Sequence, residues 1–252
     1  MLNILKDKIM RPPRIVLYGE EGCGKTTFAS QAPNPIFIQT EDGCGEVGVD
    51  RFPLPRKFNE VLGNLAALCS EEHEYKTVVL DTADWLEPLI IQSVCDDYNV
   101  DSILTAAGGY GKGYERARAK WGDVLAAFDY LRNNKNMTVI IIAHRKVKTY
   151  NDPENAAYDR YMLRLNDKTC DYLVEWADCV LYCQKKLLVT HDDKRNIAKP
   201  IGADGGERVM RTSASPACVA KNRYNLPSEM PLNWQVFEEA ITKNNGVVKD
   251  GI

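Results

Sequence analysis

The chain has 252 residues, 44% hydrophobic and 27% charged, enough apolar content to build a core and to exclude an intrinsically disordered protein. The net charge of −3 excludes a uniformly basic surface built to coat nucleic acid. The longest apolar runs, such as Val139–Ala143 and Val78–Leu80, fall far short of the roughly 20 residues that cross a bilayer.

Arg14–Tyr18 (RIVLY) reads as a short buried strand, followed by a glycine-rich turn and a helix from about Lys25. Pro35–Gln39 is a second strand. Phe58–Ser70 is helical, with Val61, Leu62, Leu65 and Leu68 on one face. Thr77–Asp81 (TVVLD) and Thr138–Ala143 (TVIIIA) are continuous apolar strands. Between them lie a helix near Trp85–Tyr98, a glycine-rich loop at Gly108–Gly113, and a helix near Glu115–Asn133 that aligns Ala117, Trp121, Leu125 and Phe128. Val180–Cys183 and Leu187–Val189 read as further strands, and Val236–Ile241 as a closing helix. Strands apolar on both faces and separated by helices imply an α/β fold, a mainly parallel central sheet flanked by helices on both faces. Ligands of such sheets sit at the carboxyl ends of the strands, here just after Tyr18, Gln39, Leu80 and Ala143.

No linker-like stretch divides the chain, so residues 1–252 read as a single domain. The N-terminal MLNILKDKIMRPPR has no signal-like apolar centre, and the reading is a soluble cytoplasmic protein with no membrane partner. Eight cysteines are scattered at 23, 44, 69, 95, 170, 179, 183 and 218, without a CxxC pair. They read as reduced thiols of a core rather than as a disulfide or zinc framework.

Gly19-Glu20-Glu21-Gly22-Cys23-Gly24-Lys25-Thr26 fits GxxxxGK[ST] at every specified position, after a strand and at the opening of a helix. Glycines there let backbone N–H groups curl around phosphates, and the helix start adds favourable partial charge. The motif assigns a nucleoside triphosphate to Glu20, Glu21, Gly22, Cys23, Gly24, Lys25, Thr26 and Thr27. Lys25 reaches the β and γ phosphates, and the Thr26 hydroxyl joins a Mg²⁺ shell. Asp81 at the end of TVVLD is the carboxylate expected on that metal, although a strand-end Asp also caps helices. Glu41, two residues past the second strand, is placed to activate water, with Asp42 as competitor. His144 ends the TVIIIA strand and is placed to sense the γ phosphate.

Basic residues are unevenly spread: positions 107–148 hold nine Lys/Arg against three Asp/Glu. Lys112, Arg116 and Lys120 recur at helical spacing behind a glycine- and tyrosine-rich loop. Arg145, Lys146 and Lys148 follow His144 directly. Aromatics that stack bases and cations that follow phosphates are the ingredients of a single-strand-binding surface, and a solvated basic helix face is the plainer reading. Lys221 and Arg223 are late cations of the kind that neutralise a neighbouring subunit's nucleotide, or else an exposed basic turn.

Taken in order, these segments resemble the RecA superfamily of recombinase ATPases, and more narrowly compact phage proteins proposed as RecA-like single-strand annealing factors. GEEGCGKTT resembles the phosphate loop, IFIQTED the strand with the catalytic glutamate, TVVLDT the Mg²⁺-site strand, TVIIIAHRKVK the sensor strand leading to a DNA loop, and VAKNRYNLP the segment with trans-acting cations. LVEWADCVLY also resembles the phage group. The resemblance implies an ATP- and Mg²⁺-dependent ATPase, stimulated by single-stranded DNA and acting in phage-type recombination within the host cytoplasm. It implies a homo-oligomer, working with single-strand-binding or replication proteins. Histidine stands at the sensor where RecA itself has glutamine, and the short stretch before the first strand leaves no room for the N-terminal polymerisation element of full-length recombinases. The alternatives are a non-catalytic ATP-binding adaptor for replication or recombination proteins and, less well matched, a small-molecule phosphotransferase.

Overall fold

The computed structural model describes residues 11–43, 47–186, 188–192, 197–201 and 206–244. Residues 1–10, Cys44 and Leu187, each part of the sequence reading, lie outside them. In chain order the elements are β1 (Arg14–Gly19), α1 (Lys25–Ser30), β2 (Pro35–Gln39), β3 (Asp50–Arg51), α2 (Phe58–Ser70), β4 (Thr77–Asp81), α3 (Ala83–Tyr98), α4 (Lys112–Asn134), β5 (Thr138–Tyr150) and β6 (Tyr158–Leu163). There follow α5 (Asp167–Trp176), β7 (Cys179–Lys185), β8 (Leu188–Asp192), β9 (Ile197–Ile201), β10 (Arg208–Arg211), β11 (Lys221–Asn222), β12 (Glu229–Pro231) and α6 (Trp234–Asn244).

The main sheet runs β12-β10-β7-β1-β5-β4-β2-β3. Every pairing from β7 to β3 is parallel, and β10 and β12 add an antiparallel edge. The strands are Val/Ile-rich because they are buried on both faces, and their side chains alternate between two cores. Val16, Tyr18, Val139 and Ile141 pack beneath α2, α3, α4 and α5. Ile15, Leu17, Ile140 and Ile142 face α1 and α6. The parallel sheet flanked by helices on both faces is therefore the observed architecture. The seven cysteines among the described residues are free thiols, and all but half-buried Cys69 are buried.

On the second face, α1 is only six residues long, too short to hold together on its own. It is fixed by packing: the ring of Phe28 meets Trp234 at 5.5 Å and Phe237 at 5.7 Å, both edge-on.

One strand differs from its expected extent. Thr138–Ala143 ends at the sheet, but the backbone continues as a strand to Tyr150 and pairs antiparallel with β6, Arg145 opposite Leu163 and Tyr150 opposite Tyr158. The basic stretch after His144 is thus one side of a hairpin arm. A polar alternating sequence forms a strand when a second segment supplies the ladder bonds.

At the other end of the sheet, where β1 and β7 begin, the buried carboxylate of Asp178 ties distant segments together. It accepts from the Arg14 backbone N–H at 3.1 Å, from the Arg14 guanidinium at 3.1 Å, from Arg132 at 2.9 Å and from Arg223 at 3.2 Å. Burial opposes its charge, but the Arg14 bonds and the Arg132 cation outweigh that and hold the carboxyl below the usual aspartate range. A folded-state pKa below the unfolded one gives stability that is complete above the unfolded value and is lost as pH falls through the folded one. Asp178→Ala strands Arg14 and Arg132 without their partner and should cost about 3–5 kcal/mol in urea unfolding. Asp178→Asn should flatten the acid-side loss of stability, and an unchanged acid limb would show that other carboxylates set it.

Candidate nucleotide site

The phosphate loop leaves β1 where that strand is pressed between β5 and β7. A Cβ on Gly19 would stand 2.2 Å from the Cys183 carbonyl oxygen, so only glycine fits. Gly22 and Gly24 have φ of 68° and 104°, the left-handed conformation that other residues avoid. Lys25 is buried, and its Nζ donates to the carbonyls of Glu20 at 2.8 Å and Gly19 at 3.3 Å, which holds the ammonium inside the loop. Cys23 is a packing residue: burial pushes its thiol up and keeps it unreactive.

A cleft of about 400 Å³ opens over this loop, lined by Gly22, Gly24, Lys25, Thr26, Thr27, Glu41, Asp81 and His144, with Glu21 and Arg208 at its sides. The sequence-derived loop, metal, base and sensor positions therefore converge on one space, and Glu41 rather than Asp42 lines it. Thr26 Oγ donates to Asp81 Oδ2 at 2.9 Å. A hydroxyl and a carboxylate at that spacing are hard oxygen donors that fit Mg²⁺, which binds one or two protein oxygens and takes the rest of its shell from phosphate and water.

The Glu41 carboxyl is pushed above the ordinary glutamate range, first by burial and then by the neighbouring carboxylates of Asp81 and Asp84, against the opposing pull of His144 and Lys25. Such a shift brings a carboxylate closer to the proton affinity useful in a general base. His144 is buried and doubly anchored to Asp84: its backbone N–H donates to Oδ1 at 2.8 Å, and Nδ1 lies 2.9 Å from Oδ2. Facing a carboxylate, Nδ1 carries the ring proton, leaving Nε2 as the second polar atom. Arg164 donates to the same Oδ2 at 2.8 Å. Burial opposes the Asp84 charge, but the bonds from His144 and Arg164 hold its carboxyl well below the usual range.

A second cleft, about 220 Å³, separates the loop from the hairpin arm and shares Glu21 and His144 with the first. Two ion pairs bridge it: Arg145 to Glu20 at 3.0 Å and Arg164 to Glu21 at 3.4 Å. Asp84, Arg164 and Arg208 escaped the sequence reading. Asp84 stands three residues past Asp81, inside a helix rather than at a strand end. Arg164 and Arg208 lie in stretches without a motif.

Other expected binding residues are placed differently. Lys112 and Arg116 are exposed at the start of α4, but Lys120 pairs with Asp97 at 2.8 Å, donates to Ser93 at 2.9 Å and lies over the Phe58 ring. It joins three helices, so the expected basic stripe is broken at that position. Lys146 and Lys148 both pair with Asp167, and Arg145 stacks 4.6 Å over Tyr161. Lys221 donates to the carbonyls of Val174 at 2.8 Å and Glu175 at 2.7 Å, capping α5, and Arg223 is held by Asp178. Both sit opposite the first residues of β7, at the far end of the sheet from the phosphate loop. The structure thus occupies the two cations expected to act in trans inside their own chain.

Lys25→Ala removes the loop's cation and should weaken nucleotide binding at least tenfold, read by titration with a fluorescent ATP analogue. Glu41→Gln should retain binding and lower hydrolysis by about 10²- to 10⁴-fold. In the wild type the acid limb of the rate profile should lie above the ordinary glutamate pKa of about 4.3, because the base must be ionised to accept a proton. A limb at or below that value would remove Glu41 from the role.

A family model described as an AAA domain matches residues 11–224, a span that takes in every cleft residue named above. The SPbeta prophage-derived uncharacterized protein YorG of Bacillus subtilis (strain 168) is 27% identical over 146 residues, covering 54% of this chain and 43% of YorG. The match therefore spans less than half of that relative. The converging phosphate loop, metal-site pair and candidate base, together with the length of the family match, place this chain in the AAA domain family of P-loop nucleotide-binding ATPases.

Proposed function

We propose that the protein is a Mg²⁺-dependent, RecA-type ATPase that acts on single-stranded DNA in phage-type recombination, by annealing or strand exchange. The observation that supports this most is the continuity of β5. The strand that delivers His144 to the nucleotide cleft runs on, without a break, into the hairpin arm. Six residues beyond His144 extend it by about 20 Å.

The arm carries the right groups. Arg145, Lys146, Lys148 and Arg160 offer cations to a phosphate backbone, and Tyr150 and Tyr158, their rings 5.5 Å apart, offer stacking faces. Val147 and Tyr150 are exposed. The pairs that Lys146 and Lys148 make with Asp167 are solvent-screened surface pairs, so a DNA phosphate can compete with Asp167 for both cations.

In the hydrolysis step Glu41 accepts a proton from water as its oxygen bonds to the γ phosphorus. The bond to the β–γ bridging oxygen breaks, and ADP leaves with that electron pair. Lys25 steadies the phosphate oxygens. Thr26 and Asp81 would hold Mg²⁺, whose charge would offset that of the phosphates. His144, oriented by Asp84, links the cleft to the arm. A homo-oligomer and contacts with single-strand-binding or replication proteins belong to the same reading, although a trans role for Lys221 and Arg223 requires their release from the α5 carbonyls and Asp178. The prophage derivation of YorG supports the phage setting.

The test is ATP hydrolysis with and without single-stranded DNA. Turnover should rise several-fold with DNA and vanish in Lys25→Ala. Lys146→Ala with Lys148→Ala should weaken DNA binding and reduce the salt slope by about 1 to 1.5, at about 0.7 per phosphate contact. Slow turnover indifferent to DNA, with ATP binding intact, would assign the ATP-binding adaptor role instead.

A further inference from the structure

Arg208 is set apart from the other cations around the nucleotide cleft. Lys25 donates to loop carbonyls, Arg145 is paired with Glu20, and Arg164 with Asp84 and Glu21. Lys186, just past β7, and Arg211, at the other end of β10, share Glu229. The Arg208 guanidinium has no hydrogen bond or ion pair among the described residues, yet it lines the cleft with Lys25, Thr26 and Thr27.

The placement follows from the fold. β10 runs antiparallel to β7, and Arg208 stands opposite Lys185, the last residue of that strand. It therefore enters at the carboxyl end of the sheet, beside the phosphate loop. Its backbone carbonyl accepts from Leu232 N–H at 2.9 Å, which fixes the strand. The side chain lies over Gly24: Nη1 is 3.0 Å and Cδ 3.3 Å from the position a Cβ would take on that residue, with Leu232 Cδ2 at 3.5 Å. Gly24 thus serves twice, adopting its left-handed φ and leaving room for a guanidinium.

We propose that Arg208 is a phosphate-binding residue of the nucleotide site, supplied by the same chain from the β7 side of the loop. The inference rests on the nucleotide-site reading and deepens it. A planar guanidinium donates two parallel N–H groups to phosphate oxygens, a geometry an ammonium does not reproduce. It approaches from the side opposite Asp81 and Glu41, so the phosphate chain is held between the two flanks of the cleft. The positive charge that the sequence assigned to a neighbouring subunit's Lys221 and Arg223 is then present in a single chain.

Equilibrium titration of ATP, ADP and adenosine against the wild type, Arg208→Ala, Arg208→Lys and Lys25→Ala tests this. Arg208→Ala should weaken ATP binding about tenfold or more and leave adenosine binding unchanged, and Arg208→Lys should recover only part of the loss. Equal losses for ATP and ADP assign the contact to the α or β phosphate, and a loss confined to ATP assigns it to the γ phosphate. Unchanged affinity in Arg208→Ala, with binding lost in Lys25→Ala, would overturn the role of Arg208 and leave the site intact. Unchanged affinity in both variants would instead remove the nucleotide-site reading. An equal loss for adenosine would also overturn the proposal, by placing Arg208 on the nucleoside. Arg208 is exposed on its strand, and a thermal melt of each variant matching the wild type excludes a folding defect.

Discussion

The insertion of β5 between β1 and β4 governs the geometry of this molecule. Its register sets His144 opposite Gly19, the first residue of the phosphate loop, and Ile142 opposite Asp81. Because β5 fills the gap, the loop and Asp81 stand two strands apart, and Thr26 bridges them across the top of the sheet. The same insertion lets Asp84, in the first turn of α3, meet both the backbone and the ring of His144. Parallel pairing on both sides requires crossovers at each step, and those crossovers are the helices that bury the sheet.

Charge is sorted between the two ends of the strands. At the amino end, buried Asp178 gathers the largely buried Arg14 and Arg132 and the half-exposed Arg223 around one carboxylate. At the carboxyl end, Lys25, Arg164 and Arg208 surround acidic groups and the open cleft. A closed cluster holds segments in place, whereas a cleft with cations along its walls attracts an anion. Both arrangements use mostly arginine, and the difference lies in whether carboxylates fill every position around it.

Much of this was legible from the sequence. Strands apolar at every position, such as TVVLD and TVIIIA, have no other home than the middle of a sheet. The phosphate loop declares itself because its glycines, lysine and threonine act within eight consecutive residues. What escaped were contacts with distant partners that carry no motif of their own. RKVKTY has strand-like alternation, but its partner lies in a tract with no pattern of its own, so the hairpin arm was unreadable. Lys120 sits on a regular basic stripe, and helical spacing cannot reveal that Asp97 and Ser93 wait on α3. Lys221 and Arg223 showed their charge but not the α5 carbonyls and the carboxylate that take it up.

The support beneath the phosphate loop has a consequence for the order in which the protein is assembled. α1 carries Lys25 and Thr26, and the aromatic surface that steadies it comes from Trp234 and Phe237 of α6. Those residues lie about two hundred positions downstream and beyond the segment that defines the family match. On the ribosome α1 emerges well before the α6 surface that supports it, because about two hundred residues separate them. Until then one side of Phe28 lacks its aromatic cover, and a six-residue helix rests on the sheet alone. The residues that bind the phosphates are made ahead of their support, and their competence waits for a helix some two hundred residues downstream.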